Sequence, residues 1–248
     1  MRGVRTPFPP KPYDIRSSTM NTQKPSPISN NPHQLEITEC FYSIQGEGPF
    51  AGRPATFLRL AGCNLRCPFC DTNYKRLTTL NPRNTVDLVT ATKKNNTNLV
   101  VITGGEPFRQ NISELLIELN SAGYEIQIET NGTVKPQPSV LAVLSRIRPV
   151  IVCSPKGRIT KELQPFITAY KYVIGYNVDP EDGLPQNVLG LEMRPDRPRN
   201  GFDGIVYVQP MDEHQPKLNA LHNELTVKVA QEHDYVICVQ MHKFLNVE

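Results

Sequence analysis

Three of the six cysteines of this chain, Cys63, Cys67 and Cys70, lie within eight residues of one another. A small secreted protein held together by disulfides has a shorter chain and more densely spread cysteines, so this group indicates metal ligation in a reducing compartment. Zinc sites usually close with four ligands, often supplied as two spaced pairs. Iron–sulfur clusters are held by cysteine thiolates, and three ligands on a four-iron cluster leave one iron open to a small molecule.

The cysteine spacing alone leaves other interpretations open. A structural zinc or cluster site completed by Cys40, or a chance run of cysteines, would give the same pattern. The remaining cysteines are expected to be small buried core residues, since Cys153 and Cys238 sit in apolar runs.

The composition favours one sizeable domain in a soluble, cytoplasmic protein. The chain has 248 residues, of which 38% are hydrophobic, and its formal net charge is +3. So small a positive excess does not predict a nucleic-acid partner. No apolar run approaches the roughly 20 residues that span a bilayer, so we expect no membrane partner.

Residues 1–33 differ from the rest, with seven prolines and a single acidic residue, Asp14. This composition predicts a disordered N-terminal extension, or an upstream start with Met20 as the natural initiator. The prolines argue against the amphipathic helix of an organelle transit peptide. Residues 34–248 are predicted to form the folded domain.

From residue 35 onward, patterns typical of strands and helices alternate, which predicts a parallel sheet in an α/β fold. About six strand–helix units fit, too few for an eight-stranded barrel, so we predict a partial, open (β/α)6-type barrel. Residues 179–203 are predicted as a long loop. The predicted strands are 35–44, 55–60, 99–103, 124–130, 150–153, 170–174, 204–209 and 235–240, and the predicted helices are 112–119, 140–147, 161–169 and 215–232.

A second motif, Thr103-Gly104-Gly105-Glu106-Pro107, follows a predicted strand. Adjacent glycines let the backbone approach a ligand closely. A C-x3-C-x2-C loop after one strand and a Gly-Gly-Glu-Pro loop after a later strand together resemble the radical S-adenosylmethionine (SAM) superfamily. The resemblance implies a 4Fe-4S cluster on the three cysteines, with SAM on the open iron.

Longer segments resemble one branch, the 7-carboxy-7-deazaguanine synthase family, over residues 35–248. They are FYSIQGEGPFAGRPATFLRLAGCNLRCPFCDT (41–72), VVITGGEP (100–107), IETNGT (128–133), SPK (154–156), VQPM (208–211) and MHKFLNVE (241–248). The resemblance implies conversion of 6-carboxy-5,6,7,8-tetrahydropterin to 7-carboxy-7-deazaguanine by a radical ring contraction that expels ammonia, in queuosine and 7-deazapurine biosynthesis. It also implies a requirement for Mg2+. The alternative is another small radical SAM enzyme, such as a glycyl-radical activating enzyme.

The resemblance also implies roles for individual residues near SAM and the metal. Thr72 is expected to bind Mg2+, although a turn or helix-capping role would suit the same residue. The expected SAM contacts are Phe69, Cys70, Asp71, Gly105, Ser154, Pro155 and Lys156. Glu129, Thr130, Asn131 and Gln209 are weaker candidates.

For the pterin, Arg59 is expected to bind the substrate carboxylate, because its planar fork matches that group. An internal ion pair or an exposed strand face is the alternative for Arg59. The other expected substrate contacts are Ile44, Gln45, Gly46, Glu47, Thr103 and Glu248. His242 and Lys243 follow the last predicted strand, and the other histidines, His33, His214, His222 and His233, are expected at the surface. The family resemblance implies a homodimer and an electron donor such as flavodoxin or ferredoxin.

Overall fold

The structure, a computed structural model, describes residues 23–68, 70, 72–188, 193–213 and 215–247. Its strands are β1 (Leu35–Ile44), β2 (Pro54–Leu60), β3 (Thr78–Leu80), β4 (Leu99–Gly104), β5 (Glu125–Thr130), β6 (Val150–Cys153), β7 (Ala169–Ile174), β8 (Ile205–Pro210) and β9 (Val236–Ile237). Its α-helices are α1 (Pro82–Thr92), α2 (Ser113–Ser121), α3 (Pro138–Ile147), α4 (Pro216–His233) and α5 (Met241–Leu245).

All nine strands form one sheet in the order β3-β1-β2-β4-β5-β6-β7-β8-β9. From β2 to β9 each neighbouring pair is parallel, whereas β1 runs antiparallel to both β2 and β3. The edge strands β3 and β9 do not pair with each other, so the sheet is open. The predicted α/β class and the open, partial barrel are confirmed.

The main core lies where α1, α2, α3 and α4 pack on the sheet. Side chains such as Val89, Leu116, Leu144 and Val229 meet strand residues there and are almost fully removed from water. Burying a large aliphatic side chain contributes about 1.5–3 kcal/mol, so this layer holds the strand ends in place. Among the described residues, no helix is both long and apolar enough to cross a membrane.

Two predicted elements differ in the structure. Residues 161–169 were expected to be helical, but only the 3-10 turn Gln164–Phe166 forms there. Pro165 explains the difference, because it lacks an N–H and restricts the residue before it. The predicted strand 235–240 shortens to Val236–Ile237, because the chain turns into α5 at Met241.

Helix α1 and strand β3 were not predicted. The signal for α1 was present at its start, where Pro82 occupies the first turn. The side chain of Asn81 accepts a hydrogen bond from the Asn84 amide at 2.8 Å, as a helix-capping residue does.

The predicted boundary at residue 33 needs correction. Residues 1–22 lie outside the described residues, as does Met20. Residues 23–30 hydrogen-bond to the domain, for example from the Ser29 amide to the Arg109 carbonyl at 2.7 Å. This segment therefore lies on the surface of the domain that contains the sheet.

Candidate active site

The cysteine loop follows β2, and the glycine loop follows β4, its parallel neighbour. The amide of Gly105 donates to the Leu60 carbonyl at 3.2 Å, and the amide of Glu106 donates to the Gly62 carbonyl at 3.0 Å. A Cβ atom on Gly105 would lie 2.0 Å from the Gly62 carbonyl oxygen. Glycine is therefore required at position 105 for the two loops to meet.

Glu106 is fully buried behind these loops. Its carboxylate accepts hydrogen bonds from the Thr130 hydroxyl (2.8 Å), the Asn131 amide (2.8 Å) and the Phe108 amide (3.1 Å). Burial raises the pKa of Glu106 to about 7, although these three donors favour the ionised form. Glu106 thus ties the glycine loop to the loop that follows β5.

The loop after β5 also contacts the cysteine loop. The side-chain amide of Asn131 donates to the Asn64 side-chain oxygen at 3.0 Å and lies 3.9 Å from the Cys63 sulfur. Asn64 in turn donates to the Thr133 hydroxyl at 2.8 Å. Asn131 was a weaker sequence candidate for SAM; here it positions the cysteine loop.

The three thiols of the cysteine loop are the donor type that holds iron–sulfur clusters, which bind cysteine thiolates. In a four-iron cluster each thiolate binds a different iron. The Leu65 amide already donates to the Cys63 sulfur at 3.4 Å, a contact that favours the thiolate a metal requires. The residues present therefore fit a 4Fe-4S cluster.

Burial raises the pKa of the Cys63 thiol to about 12, against the lowering effect of the Leu65 amide. Burial likewise raises the pKa of Cys67, while the Lys156 ammonium lowers it. The Lys156 amide donates to the carbonyl of Asn131, the residue that contacts the cysteine loop, at 3.2 Å, and the Lys156 ammonium donates to the Ser154 hydroxyl at 2.7 Å. The predicted SAM contacts Ser154 and Lys156 and the cysteine loop occupy the same edge of the sheet.

A buried charge network joins two strands and one loop of the sheet. The ammonium of Lys171 on β7 forms ion pairs with Glu47 and, at 3.1 Å, with Glu129 on β5. Burial works to lower the pKa of Lys171, but the two carboxylates outweigh it and raise this pKa well above its usual range. Burial alone would raise the pKa of Glu47, but Lys171 holds it below the usual range.

The predicted pterin loop closes over this network. The side-chain amide of Gln45 donates to Glu129 at 3.4 Å, and its side-chain oxygen accepts from the Glu47 amide at 3.2 Å. Gly46 faces the start of α5, where a Cβ atom on it would lie 2.4 Å from Nδ1 of His242. The C-terminal helix therefore lies directly against residues 45–47.

Arg59 is paired rather than isolated. Its Nε donates to Glu39 on the neighbouring strand, and its Nη1 lies 3.4 Å from the Thr72 hydroxyl. Thr103 is the register partner of Arg59 on β4. Arg59 therefore has an ion-pair partner, and the partner Glu39 is 47% exposed. The separate contact with Thr72 brings the residue predicted to bind the substrate next to the residue predicted to bind Mg2+.

The structure leaves three predicted site residues without description: Phe69, Asp71 and Glu248. The remaining ones, Ile44, Gln45, Gly46, Glu47, Arg59, Cys63, Cys67, Cys70, Thr72, Thr103, Gly105, Ser154, Pro155 and Lys156, lie at or near the carboxyl ends of strands or on the adjoining loops. Their roles toward a ligand stay predictions.

The sequence analysis did not identify Lys171, and it assigned no role to the side chain of Glu106. Lys171 interrupts the apolar strand AYKYVI, and an unpaired charge there would be costly, which was the available signal. The surface position expected for His222 is wrong, because its ring is fully buried and pairs with Glu213 at 3.0 Å. Cys153 and Cys238 are buried as expected.

Comparison with known proteins agrees with this geometry. The radical SAM superfamily profile matches residues 58–155. A 7-carboxy-7-deazaguanine synthase of Rickettsia prowazekii is 38% identical, over 91% of this chain and 94% of the relative. Another, of Rhodospirillum rubrum, is also 38% identical, over 89% of this chain and 96% of the relative. The crystal structure of QueE from Escherichia coli shares the fold at a TM-score of 0.60 and 23% identity, covering 83% of this chain and 93% of that one.

The parallel open sheet, the cysteine loop and the glycine loop define a protein of the radical SAM superfamily. Within it, the identity and coverage of the two relatives show that the chain belongs to the 7-carboxy-7-deazaguanine synthase family.

Proposed function

We propose that this protein converts 6-carboxy-5,6,7,8-tetrahydropterin to 7-carboxy-7-deazaguanine and ammonia, as a radical SAM enzyme of 7-deazapurine biosynthesis. The observation that carries the proposal is the pairing of two loops in a sheet that also holds a buried charge network. The cysteine loop after β2 and the glycine loop after β4 are hydrogen-bonded to each other. The charge network, here named the Lys171 network, joins Lys171 on β7 to Glu129 on β5 and to Glu47 on the loop after β1.

Cys63, Cys67 and Cys70 would hold the 4Fe-4S cluster. A reduced cluster held by these thiolates would supply the electron for cleavage of SAM to a 5′-deoxyadenosyl radical. Gly105 keeps the glycine loop close to the cysteine loop, which is where the amino acid end of SAM would bind. The further SAM contacts proposed are Phe69, Cys70, Asp71, Ser154, Pro155 and Lys156.

The charge network gives the substrate end its chemistry. The carboxylates of Glu47 and Glu129 outnumber the single ammonium of Lys171, and the three side chains are only 9–16% exposed. The net negative charge suits the donor-rich aminopyrimidine edge of a pterin, because buried acceptors gain most from pairing with donors. Ile44, Gln45 and Gly46 would enclose that edge.

At the opposite end of the substrate, Arg59 and Thr103 would bind the carboxylate. Thr72 would place a hard oxygen ligand for Mg2+ beside them, since Mg2+ prefers oxygen and keeps several waters or substrate oxygens. Glu248 is proposed at the same substrate site from the family resemblance alone.

The proposed partners follow from the same resemblance: a flavodoxin or ferredoxin as electron donor and a second copy of the chain in a homodimer. Exposed apolar side chains of β9 and α5, such as Ile237, Phe244 and Leu245, support a protein contact at that end of the sheet. A cytoplasmic location is proposed because a thiolate-bound cluster and a low-potential donor need a reducing compartment.

The test is anaerobic reconstitution of the cluster, followed by reaction with SAM, Mg2+, a chemical reductant and the carboxypterin. Mass spectrometry should find 7-carboxy-7-deazaguanine. Uncoupled SAM cleavage, measured as 5′-deoxyadenosine without substrate, shows that the cluster is active. Cleavage without product would contradict the proposed substrate and would favour a different radical SAM reaction.

A further inference from the structure

The segment 23–30, here named the N-terminal strap, crosses the base of the cysteine loop. That base is closed by a hydrogen bond from the Gly62 amide to the Tyr74 carbonyl at 2.9 Å. The loop therefore has two limbs, one leaving at Cys63 and one returning through Thr72. The strap contacts both limbs.

On the outgoing limb, the Ser26 amide donates to the Cys63 carbonyl at 2.7 Å. On the returning limb, the side chain of Gln23 makes two hydrogen bonds with residues that the structure describes. It donates to the Thr72 carbonyl at 2.9 Å and accepts from the Tyr74 amide at 2.8 Å. One side-chain amide thus pairs with residues 72–74 as a strand backbone would.

The strap is held in this position from its other end. The buried guanidinium of Arg109 donates to the Pro27 carbonyl at 2.7 Å, and the Arg109 carbonyl accepts from the Ser29 amide at 2.7 Å. Two prolines, Pro25 and Pro27, restrict the strap further, because the residue before a proline is confined to extended backbone. The Ser26 amide is therefore fixed toward Cys63 at a small cost in entropy.

We propose that the N-terminal strap is a clamp that keeps the cluster-binding loop closed, with Gln23 as its principal positioning residue. The inference rests on the proposed function in one respect, that the loop holds a cluster. Loss of iron to a chelator requires the loop to open locally, and opening must first break the strap bonds that join its limbs. The clamp therefore determines how long the protein retains its cluster. This retention does not depend on which substrate the enzyme uses.

The test measures cluster retention in the full-length, reconstituted protein. Gln23→Ala removes both side-chain bonds, and Ser26→Pro removes the amide donor to Cys63. Each lost hydrogen bond is expected to speed local opening about fivefold. Visible iron–sulfur absorbance in the presence of a chelator should therefore decay about five- to thirtyfold faster in Gln23→Ala than in the wild type. Asn30→Ala is the matched control, because that strap side chain contacts Gln137 at 3.3 Å and bonds to none of the described residues of the loop limbs.

The thermal midpoint of the metal-free protein, followed by circular dichroism, separates clamping from general destabilisation. We expect this midpoint to stay near the wild-type value in Gln23→Ala while the decay rate rises. A wild-type decay rate, or a rise matched by Asn30→Ala, would overturn the proposal.

If Gln23→Ala does not fold, Gln23→Glu decides by the same criterion, since it keeps the acceptor for Tyr74 and loses the donor to Thr72. Because the readout is cluster decay, a protein that retains its cluster normally but makes no deazaguanine would contradict only the proposed function.

Discussion

The guanidinium Nη1 of Arg59 lies 3.4 Å from the hydroxyl oxygen of Thr72. The two residues are 13 positions apart, one before and one after the three cysteines. The folding of the cysteine loop therefore brings them together. The guanidinium of Arg59 suits a carboxylate, and the hydroxyl of Thr72 suits Mg2+. These two groups thus lie side by side. A substrate carboxylate bound here would contact both the arginine and the metal ion.

Arg59→Ala should weaken carboxypterin binding and leave SAM binding unchanged. A charge-assisted, forked interaction contributes about 1.5–3 kcal/mol, so the KM for the pterin should rise about 10- to 150-fold. Steady-state kinetics and SAM binding by equilibrium dialysis measure the two effects. Arg53→Ala is the control, because Arg53 pairs with Glu125 at 2.5 Å and its side chain is 42% exposed. An equal loss of SAM affinity would show that Arg59 has another role.

Lys171→Met should destabilise the protein strongly, because it leaves the carboxylates of Glu47 and Glu129 buried without their cation. Removing one partner of a buried ion pair costs about 3–5 kcal/mol. Urea unfolding of the metal-free protein measures this cost. Adding Glu47→Gln to Lys171→Met removes one uncompensated charge, so the double variant should recover part of the loss. If the double variant is less stable than Lys171→Met alone, the two residues do not stabilise each other as described.

Glu106 should make stability depend on pH. Its pKa of about 7 in the folded protein exceeds the ordinary value of 4.5, so the folded state holds this proton more tightly than the unfolded chain does. The stabilisation from this group is complete below about pH 4.5 and is lost as the pH rises through 7. The shift corresponds to about 3 kcal/mol. Glu106→Gln cannot titrate, so the difference in unfolding free energy between wild type and variant should change between pH 5 and pH 8. A pH-independent difference would mean that Glu106 is already ionised at pH 5.

Cys67→Ala should abolish the iron–sulfur absorbance and all SAM cleavage, since two thiolates cannot hold a four-iron cluster. Cys40→Ala is the matched control, because Cys40 lies on β1, away from the cysteine loop. Iron and sulfide analysis after reconstitution measures both variants. Equal iron loading in Cys67→Ala and wild type would remove Cys67 from the ligand set.

The sequence predicted those parts of the fold that depend on local patterns. Strand 150–153 was predicted with the same limits that the structure has, because a short apolar run between polar loops has few alternatives. The predicted helix 161–169 was wrong, because apolar residues at helical spacing favour a helix there but Pro165 prevents one. Helix α1 was missed because its apolar face is short, although the Asn81-Pro82 start marked it.

The two motifs predicted that the cysteine loop and the glycine loop lie together. They did not predict which side chains join these loops to the rest of the site. Glu106 reaches Asn131 across 25 positions, and Lys171 reaches Glu47 across 124. Such pairs depend on the order of strands in the sheet, and a sequence pattern carries no information about register between distant strands. Lys171 was detectable only as a charge inside an apolar strand, which indicates that a partner exists without identifying it.

The most direct test of the account is isotope transfer from pterin to SAM in the reconstituted enzyme. If the cysteine loop and the Lys171 network form one active site, hydrogen from C6 of the carboxypterin should pass to the deoxyadenosyl group. The deoxyadenosyl group would then return a hydrogen to the rearranged substrate and rejoin methionine, so SAM would be regenerated. Carboxypterin deuterated at C6 should therefore give deuterated SAM, measured by mass spectrometry, together with 7-carboxy-7-deazaguanine, whose carboxyl-bearing carbon carries no hydrogen. Product without deuterium in the recovered SAM, or SAM cleavage without product, would contradict the account.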